Sequence, residues 1–111
     1  MRSRPVVEEA DLVLFVANVE QLVAHPVSPS RLETEQLLTH GCALALALES
    51  GCARIEHEIA ELVDRIDEPG SAERLRSLTP RLRGAQIRLA RARELISVLQ
   101  TTLQAQADTM V

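Results

Sequence analysis

Two successive stretches of the chain carry the same apolar ladder, with steps of three and four residues, on either side of a turn sequence at residues 68–71. The first stretch contains Leu38, Gly41, Ala45, Leu48, Cys52, Ile55, Ile59, Leu62 and Ile66. The second contains Leu75, Leu78, Leu82, Ala85, Leu89, Ala92, Ile96, Leu99 and Leu103. This spacing is typical of helices that pack along a seam. The pattern predicts a long, coiled-coil-like antiparallel helical hairpin, which limits the chain to an all-α fold.

A shorter helix is predicted before the hairpin, at about residues 6–24, and all three helices are expected to form a single domain of residues 1–111. His25-Pro26 ends this first helix, because the residue before a proline avoids the α region. Residues 12–16 alone also resemble a buried strand, since they are rich in branched residues. With no second strand candidate to pair with, the helix is the better interpretation.

The second and third helices have recognisable ends. Ser30 and Glu33 form a capping box that starts a helix over about residues 30–67, and Ser28 with Pro29 at the first helical position is the alternative start. The third helix is predicted at about residues 72–107. The ladder keeps its phase across Pro80, so we expect a kinked continuous helix there rather than a new helix capped by Thr79.

The end of the hairpin away from the turn is more apolar than one seam can bury. The second helix is apolar on nearly every side over residues 37–48, and the first helix has a main stripe and a second stripe that are able to cover this end. The main stripe is Leu12, Phe15, Val19 and Leu22, and the second is Val13, Val16 and Val23. We therefore expect a three-helix bundle at the open end and a two-helix rod at the turn. We expect the first helix or a partner to dock around Leu44, Leu46, Leu95 and Val98, and the predicted partner-binding residues are Leu37, Leu44, Leu46, Leu95 and Val98.

Charged residues beside the ladders predict how the hairpin pairs. Matching the two ladders places residues opposite each other when their numbers add up to about 147. In this register Glu58 lies opposite Arg88, and Glu56 lies near Arg93. Exposed pairs of this kind contribute about 0.2–1 kcal/mol each, so they specify orientation and register more than stability.

Seven arginines crowd the first part of the third helix: Arg74, Arg76, Arg81, Arg83, Arg88, Arg91 and Arg93. One interpretation is pairing with carboxylates of the facing helix or of an acidic protein partner. The other is a phosphate-binding face for nucleic acid. The formal net charge of −4 and the neighbouring carboxylates favour the first interpretation, because they weaken the positive field that phosphate binding needs.

No residue pattern predicts catalysis or metal binding. His40, Cys42, Cys52 and His57 are clustered in sequence, but their spacings of two and five residues do not place them on one helix face. Nucleotide-binding and zinc-protease motifs do not occur in the sequence. We expect no enzyme activity, no cofactor, no metal and no small-molecule substrate.

The remaining features bear on source and compartment. All twelve basic residues are arginine, which suggests a GC-rich bacterial genome. The longest apolar runs fall far short of the roughly 20 residues of a membrane span, so we expect a cytoplasmic protein without membrane contact.

The leading hypothesis is a protein-interaction module, namely an adaptor, secretion-type chaperone or assembly subunit that binds a partner helix or forms a homodimer. The alternative is a nucleic-acid-associated protein that uses the arginines of the third helix.

Overall fold

The computed structural model describes residues 9–24 and 30–109, and these form three α-helices without a strand. They are α1 (Glu9–Ala24), α2 (Arg31–Asp64) and α3 (Ser71–Thr109). Helices α2 and α3 pack along each other as an antiparallel hairpin, and α1 packs against both. The molecule is elongated, with extents of 64 × 27 × 19 Å. The predicted all-α hairpin with a three-helix bundle at its open end is confirmed.

The capping box fixes the start of α2. Ser30 is the N-cap, and its hydroxyl accepts a hydrogen bond from the Glu33 amide at 3.1 Å, while the Ser30 amide donates to the Glu33 carboxylate at 3.1 Å. The alternative start at residues 28 and 29 lies outside the described residues, as does the predicted beginning of the first helix at residues 6–8. The capping residues thus locate the N-terminus of the longer hairpin arm as the sequence predicts.

Helix α2 ends three residues earlier than predicted, at Asp64 rather than residue 67. The chain turns over residues 65–70, where the Arg65 amide donates to the Leu62 carbonyl and the Glu68 amide donates to the Arg65 carbonyl. Gly70 adopts a φ of 86°, which a residue with a side chain rarely adopts. Residues 65–67, which the ladder alone assigns to the helix, are therefore part of the turn.

Helix α3 continues through Pro80 without interruption. Pro80 is exposed, so its ring points away from the seam. Thr79 lies inside this helix, and its hydroxyl donates to the Leu75 carbonyl one turn earlier at 2.9 Å. The helix therefore does not begin again at Thr79.

The seam consists of the predicted ladder residues, which are buried or half-buried in both long helices. Ile66 is the exception, because it lies in the turn and is 46 % exposed. Helix α1 buries its main stripe against the open end, but of the second stripe only Val16 packs against the core. Val13 and Val23 face solvent. One helix docked on a hairpin has one face in contact, so Val13 and Val23 do not help to cover this end.

The axial register of the hairpin differs from the prediction. A methyl group built on Gly41 would lie 3.2 Å from Ile96 Cγ1, whereas the predicted register places Gln106 opposite Gly41. The displacement is about ten residues, or roughly 15 Å along the axis. A seven-residue repeat fixes which residues face the partner helix but leaves sliding along it open. The short turn decides the register, because it sets the end of α2 beside the start of α3.

Candidate protein-binding surfaces

Phe15 is the residue through which α1 docks on the hairpin. It is fully buried, and its ring lies against Gly41 of α2. The ring also stacks on His40, with centroids 5.8 Å apart and an interplanar angle of 19°. Ile96 closes the same site from α3. The only aromatic residue of the chain thus joins all three helices at one point.

The predicted partner-binding residues do not form one surface. Leu44 and Leu95 are buried in the same core cluster as Phe15, and Leu37 is half-buried against that cluster. Of the two predicted occupants of Leu44 and Leu95, the first helix or a partner, it is α1 that packs in their cluster, so a partner has no access to them while α1 is docked. Leu46 and Val98 remain exposed, at 65 % and 41 %. Leu46 and Val98 lie on the sides of their helices that face away from the seam.

An apolar face of α1 points away from the hairpin, and we call Val13, Leu14 and Ala17 the outer face of α1. Val13 is 66 % exposed, Leu14 is 55 % exposed and Ala17 is also exposed. Val13 and Ala17 are four residues apart, so they are neighbours on the helix surface. Val13 belongs to the second apolar stripe of the sequence, which was expected to cover the open end of the hairpin.

Two interhelical ion pairs join the hairpin. Arg74 Nε lies 2.8 Å from Glu58 Oε2, and Arg93 donates to the carboxylate of Glu49. The predicted partners are therefore wrong: Glu58 meets Arg74 instead of Arg88, and Arg93 meets Glu49 instead of Glu56. The cause is the register, which brings residues nearer to the start of α3 opposite each position of α2.

A groove between α2 and α3 begins where α1 ends and runs towards the turn. We call it the arginine groove. Its apolar floor includes Leu48, Ile55 and Ala85. Gly51 and Gly84 leave it open, and its volume is about 740 Å³. Its charged residues are Arg54, Glu58, Arg81 and Arg88.

The groove arginines lack carboxylate partners in the described part of the chain. Arg54, Arg81 and Arg88 make no ion pair there, and the Nε atom of Arg88 is buried without a hydrogen-bond partner. The one carboxylate of the groove, Glu58, is bound to Arg74. The groove is absent from the predicted register, because that register pairs Arg88 with Glu58.

The seven arginines of α3 do not form a single basic face. Those paired with carboxylates are Arg74, Arg91 and Arg93. Those in the groove are Arg81 and Arg88. The remaining two, Arg76 and Arg83, are exposed outside the groove. These arginines therefore offer the phosphate backbone of a duplex no continuous positive surface, because carboxylates pair with three of them.

The two cysteines differ in environment. Both are free thiols, with Cys42 exposed and Cys52 buried in the seam. Burial raises the pKa of the Cys52 thiol above its ordinary value of 9.0, and the nearby Glu56 carboxylate raises it further. Within residues 9–24 and 30–109, His, Cys, Asp and Glu side chains form no group of three or more suited to hold a metal ion.

No family of proteins, curated protein or solved structure matches this chain in the comparisons. None of the three described helices contains a segment with the length and apolar character needed to cross a membrane.

Proposed function

We propose that this protein is a helical protein-interaction module, either an adaptor, a secretion-type chaperone or an assembly subunit. Its partner is a helix of another protein or a second copy of this chain. The observation that supports the proposal most is the outer face of α1. A helix that is apolar on nearly all sides is typical of one that is buried on both faces, and α1 is covered by the hairpin on only one.

The outer face of α1 suits the packing of another helix. Val13, Leu14 and Ala17 provide an apolar strip with two larger side chains and one small one, flanked by the exposed carboxylates of Asp11 and Glu20. Apolar anchors at helical spacing within a polar rim are what a helix-binding surface requires. We propose binding rather than catalysis, because apolar side chains make up nearly all of the buried interior of the described bundle.

We also propose that the protein works in the cytoplasm of a bacterium. Its free thiols suit a reducing compartment, and its use of arginine alone among basic residues suits a GC-rich genome. Nucleic-acid binding is the weaker candidate, since three of the seven arginines of α3 are engaged by carboxylates.

Affinity capture with the tagged chain in its source organism tests the proposal, with bound proteins identified by mass spectrometry. We expect the double variant Val13→Gln/Leu14→Gln to lose a specific protein, or a second copy of the chain, that the native chain retains. Ile87→Gln is the matched control, because Ile87 is 63 % exposed on another helix. The proposal is abandoned if the purified chain is a monomer by light scattering and the double variant captures the same proteins as the native chain.

A further inference from the structure

The arginine groove continues the surface on which α1 docks. Leu48 belongs to the core cluster that contains Phe15, and it also lines the groove. Beyond Leu48 the hairpin offers the same kind of surface, formed by the sides of α2 and α3, but without a third helix of the described chain over it. The contacts that α1 makes therefore indicate which contacts another helix would make on this hairpin.

Helix α1 uses two contacts that the groove can repeat. A ring on α1 packs onto a glycine of α2, since Phe15 lies against Gly41. A carboxylate on α1 lies towards an arginine of α3, since Glu20 Oε2 is 4.0 Å from Arg91 Nη2. The groove contains glycines on both helices and three arginines.

No contact within the described chain requires a glycine at either glycine position of the groove. A methyl group built on Gly51 would meet only Arg54 Nη2, at 3.9 Å, and one built on Gly84 would meet only Arg88 Nη1, at 3.5 Å. A glycine inside a helix is less favourable than alanine. Gly41 offsets this cost by admitting Phe15, whereas Gly51 and Gly84 leave space that opens to solvent. A closely approaching helix would use that space.

The charge of the groove specifies the partner. Three guanidinium groups face or flank an apolar floor, and the groove's single carboxylate, on Glu58, is already bound to Arg74. We propose that the arginine groove binds an acidic amphipathic helix of a partner protein, with its apolar stripe on Leu48, Ile55 and Ala85 and its carboxylates on the arginines. This inference rests on the proposed function and adds the chemistry of the partner.

A protein helix fits the groove better than nucleic acid does. The floor is aliphatic, so it offers apolar packing but no aromatic ring on which a base would stack. An acidic helix with an apolar stripe complements both the floor and the arginines.

Fluorescence anisotropy with two labelled peptides tests the proposal on the full chain. The first is an amphipathic peptide of about five helical turns with a Leu/Ala stripe flanked by glutamates. The second has the same stripe with lysine at every glutamate. We expect the acidic peptide to bind, the basic peptide to bind at least about tenfold more weakly, and Arg81→Glu/Arg88→Glu to weaken the acidic peptide about tenfold.

Two further variants separate the groove from general charge and from misfolding. Arg76→Glu/Arg83→Glu makes the same change of charge outside the groove, and we expect it to change the affinity by no more than about twofold. Gly84→Leu fills the groove with a residue that favours helices, so the chain should fold and lose the acidic peptide. Circular dichroism confirms that each variant is folded.

Several results would overturn the inference. These are equal binding of the two peptides, equal losses from the two arginine pairs, native affinity in Gly84→Leu, or groove-dependent binding of duplex DNA or RNA without peptide binding. Self-association that the groove variants abolish would replace the partner helix with a second copy. Val13→Gln/Leu14→Gln leaves the groove intact, so a failure at the outer face of α1 is distinguishable from a failure here.

Discussion

The ring of Phe15 lies where a side chain at Gly41 would have to be. A methyl group on Gly41 would come within 2.5 Å of Phe15 Cζ and 2.9 Å of Cε1. The phenylalanine is fully buried, and Ile96 Cγ1 would also lie 3.2 Å from that methyl group, so the site has little room for it. This contact places α1 on the hairpin, and with it the outer face of α1.

We expect Gly41→Ala to destabilise the protein, although alanine is the better helix former. The gain in helix propensity is about 1 kcal/mol, whereas forcing a methyl group into a filled core costs about 1–3 kcal/mol. The net loss should be roughly 1 kcal/mol in urea unfolding. Gly51→Ala is the control, because its methyl group meets nothing closer than 3.9 Å, and it should gain up to about 1 kcal/mol. Equal effects of the two substitutions would show that Phe15 does not pack on Gly41.

The capping box of α2 should contribute measurably to stability. Ser30→Ala removes the hydroxyl that accepts from the Glu33 amide, so we expect a loss of about 1 kcal/mol in the free energy of unfolding. Ser50→Ala is the matched control, since Ser50 is exposed inside α2, where alanine is neutral or favourable. Urea unfolding followed by circular dichroism measures both. A native-like stability of Ser30→Ala would mean that α2 begins elsewhere.

The ion pair between Glu58 and Arg74 can be measured by a double-mutant cycle. With Glu58→Gln and Arg74→Gln we expect a coupling energy of about 0.2–1 kcal/mol, small because both side chains are partly exposed. The same cycle with Glu58→Gln and Arg88→Gln should give a coupling near zero. Coupling to Arg88 rather than to Arg74 would support the register expected from the sequence.

Burial of Cys52 predicts a loss of stability at alkaline pH. The pKa of this thiol is raised in the folded protein, so the folded state holds its proton more tightly than the unfolded state. The resulting stabilisation is present below pH 9.0 and is lost as the pH rises through the folded-state pKa. Unfolding in urea at neutral pH and at about pH 10 should therefore show that the native chain loses more free energy of unfolding at the higher pH than Cys52→Ala does.

The two thiols should also differ in their reaction with iodoacetamide. In the native protein, iodoacetamide should label the exposed Cys42 before Cys52, and labelling in the reverse order would contradict the burial.

The sequence predicts the seam, because burial on a helix follows from the spacing of apolar residues alone. Ladder residues such as Leu78 and Leu99 are fully buried as expected. The start of α2 is equally local, since Ser30 and Glu33 are three residues apart. Both features depend only on the spacing of residues that are close together in the sequence, so the sequence predicts them.

The register and the binding surfaces depend on longer-range geometry. Ladder residues still face each other after a slide of ten residues, so the ladder does not tell Glu49 from Glu56 as the partner of Arg93. The turn over residues 65–70 makes that choice, and the groove around Arg88 follows from it. Which stripe of α1 is buried depends likewise on the fit of Phe15 against Gly41, and the apolar pattern does not specify that contact.

The arginine groove depends on the register of the hairpin, because it exists only when α2 and α3 pair as described. Cross-linking with a short bismaleimide tests it in a Cys42→Ser/Cys52→Ser background. We compare Glu49→Cys/Arg93→Cys with Glu56→Cys/Arg93→Cys, whose positions on α2 are one heptad, or roughly 10 Å, apart on the same face. We expect rapid intramolecular cross-linking of 49 with 93 and much slower cross-linking of 56 with 93. Faster cross-linking of 56 with 93 would contradict the described register.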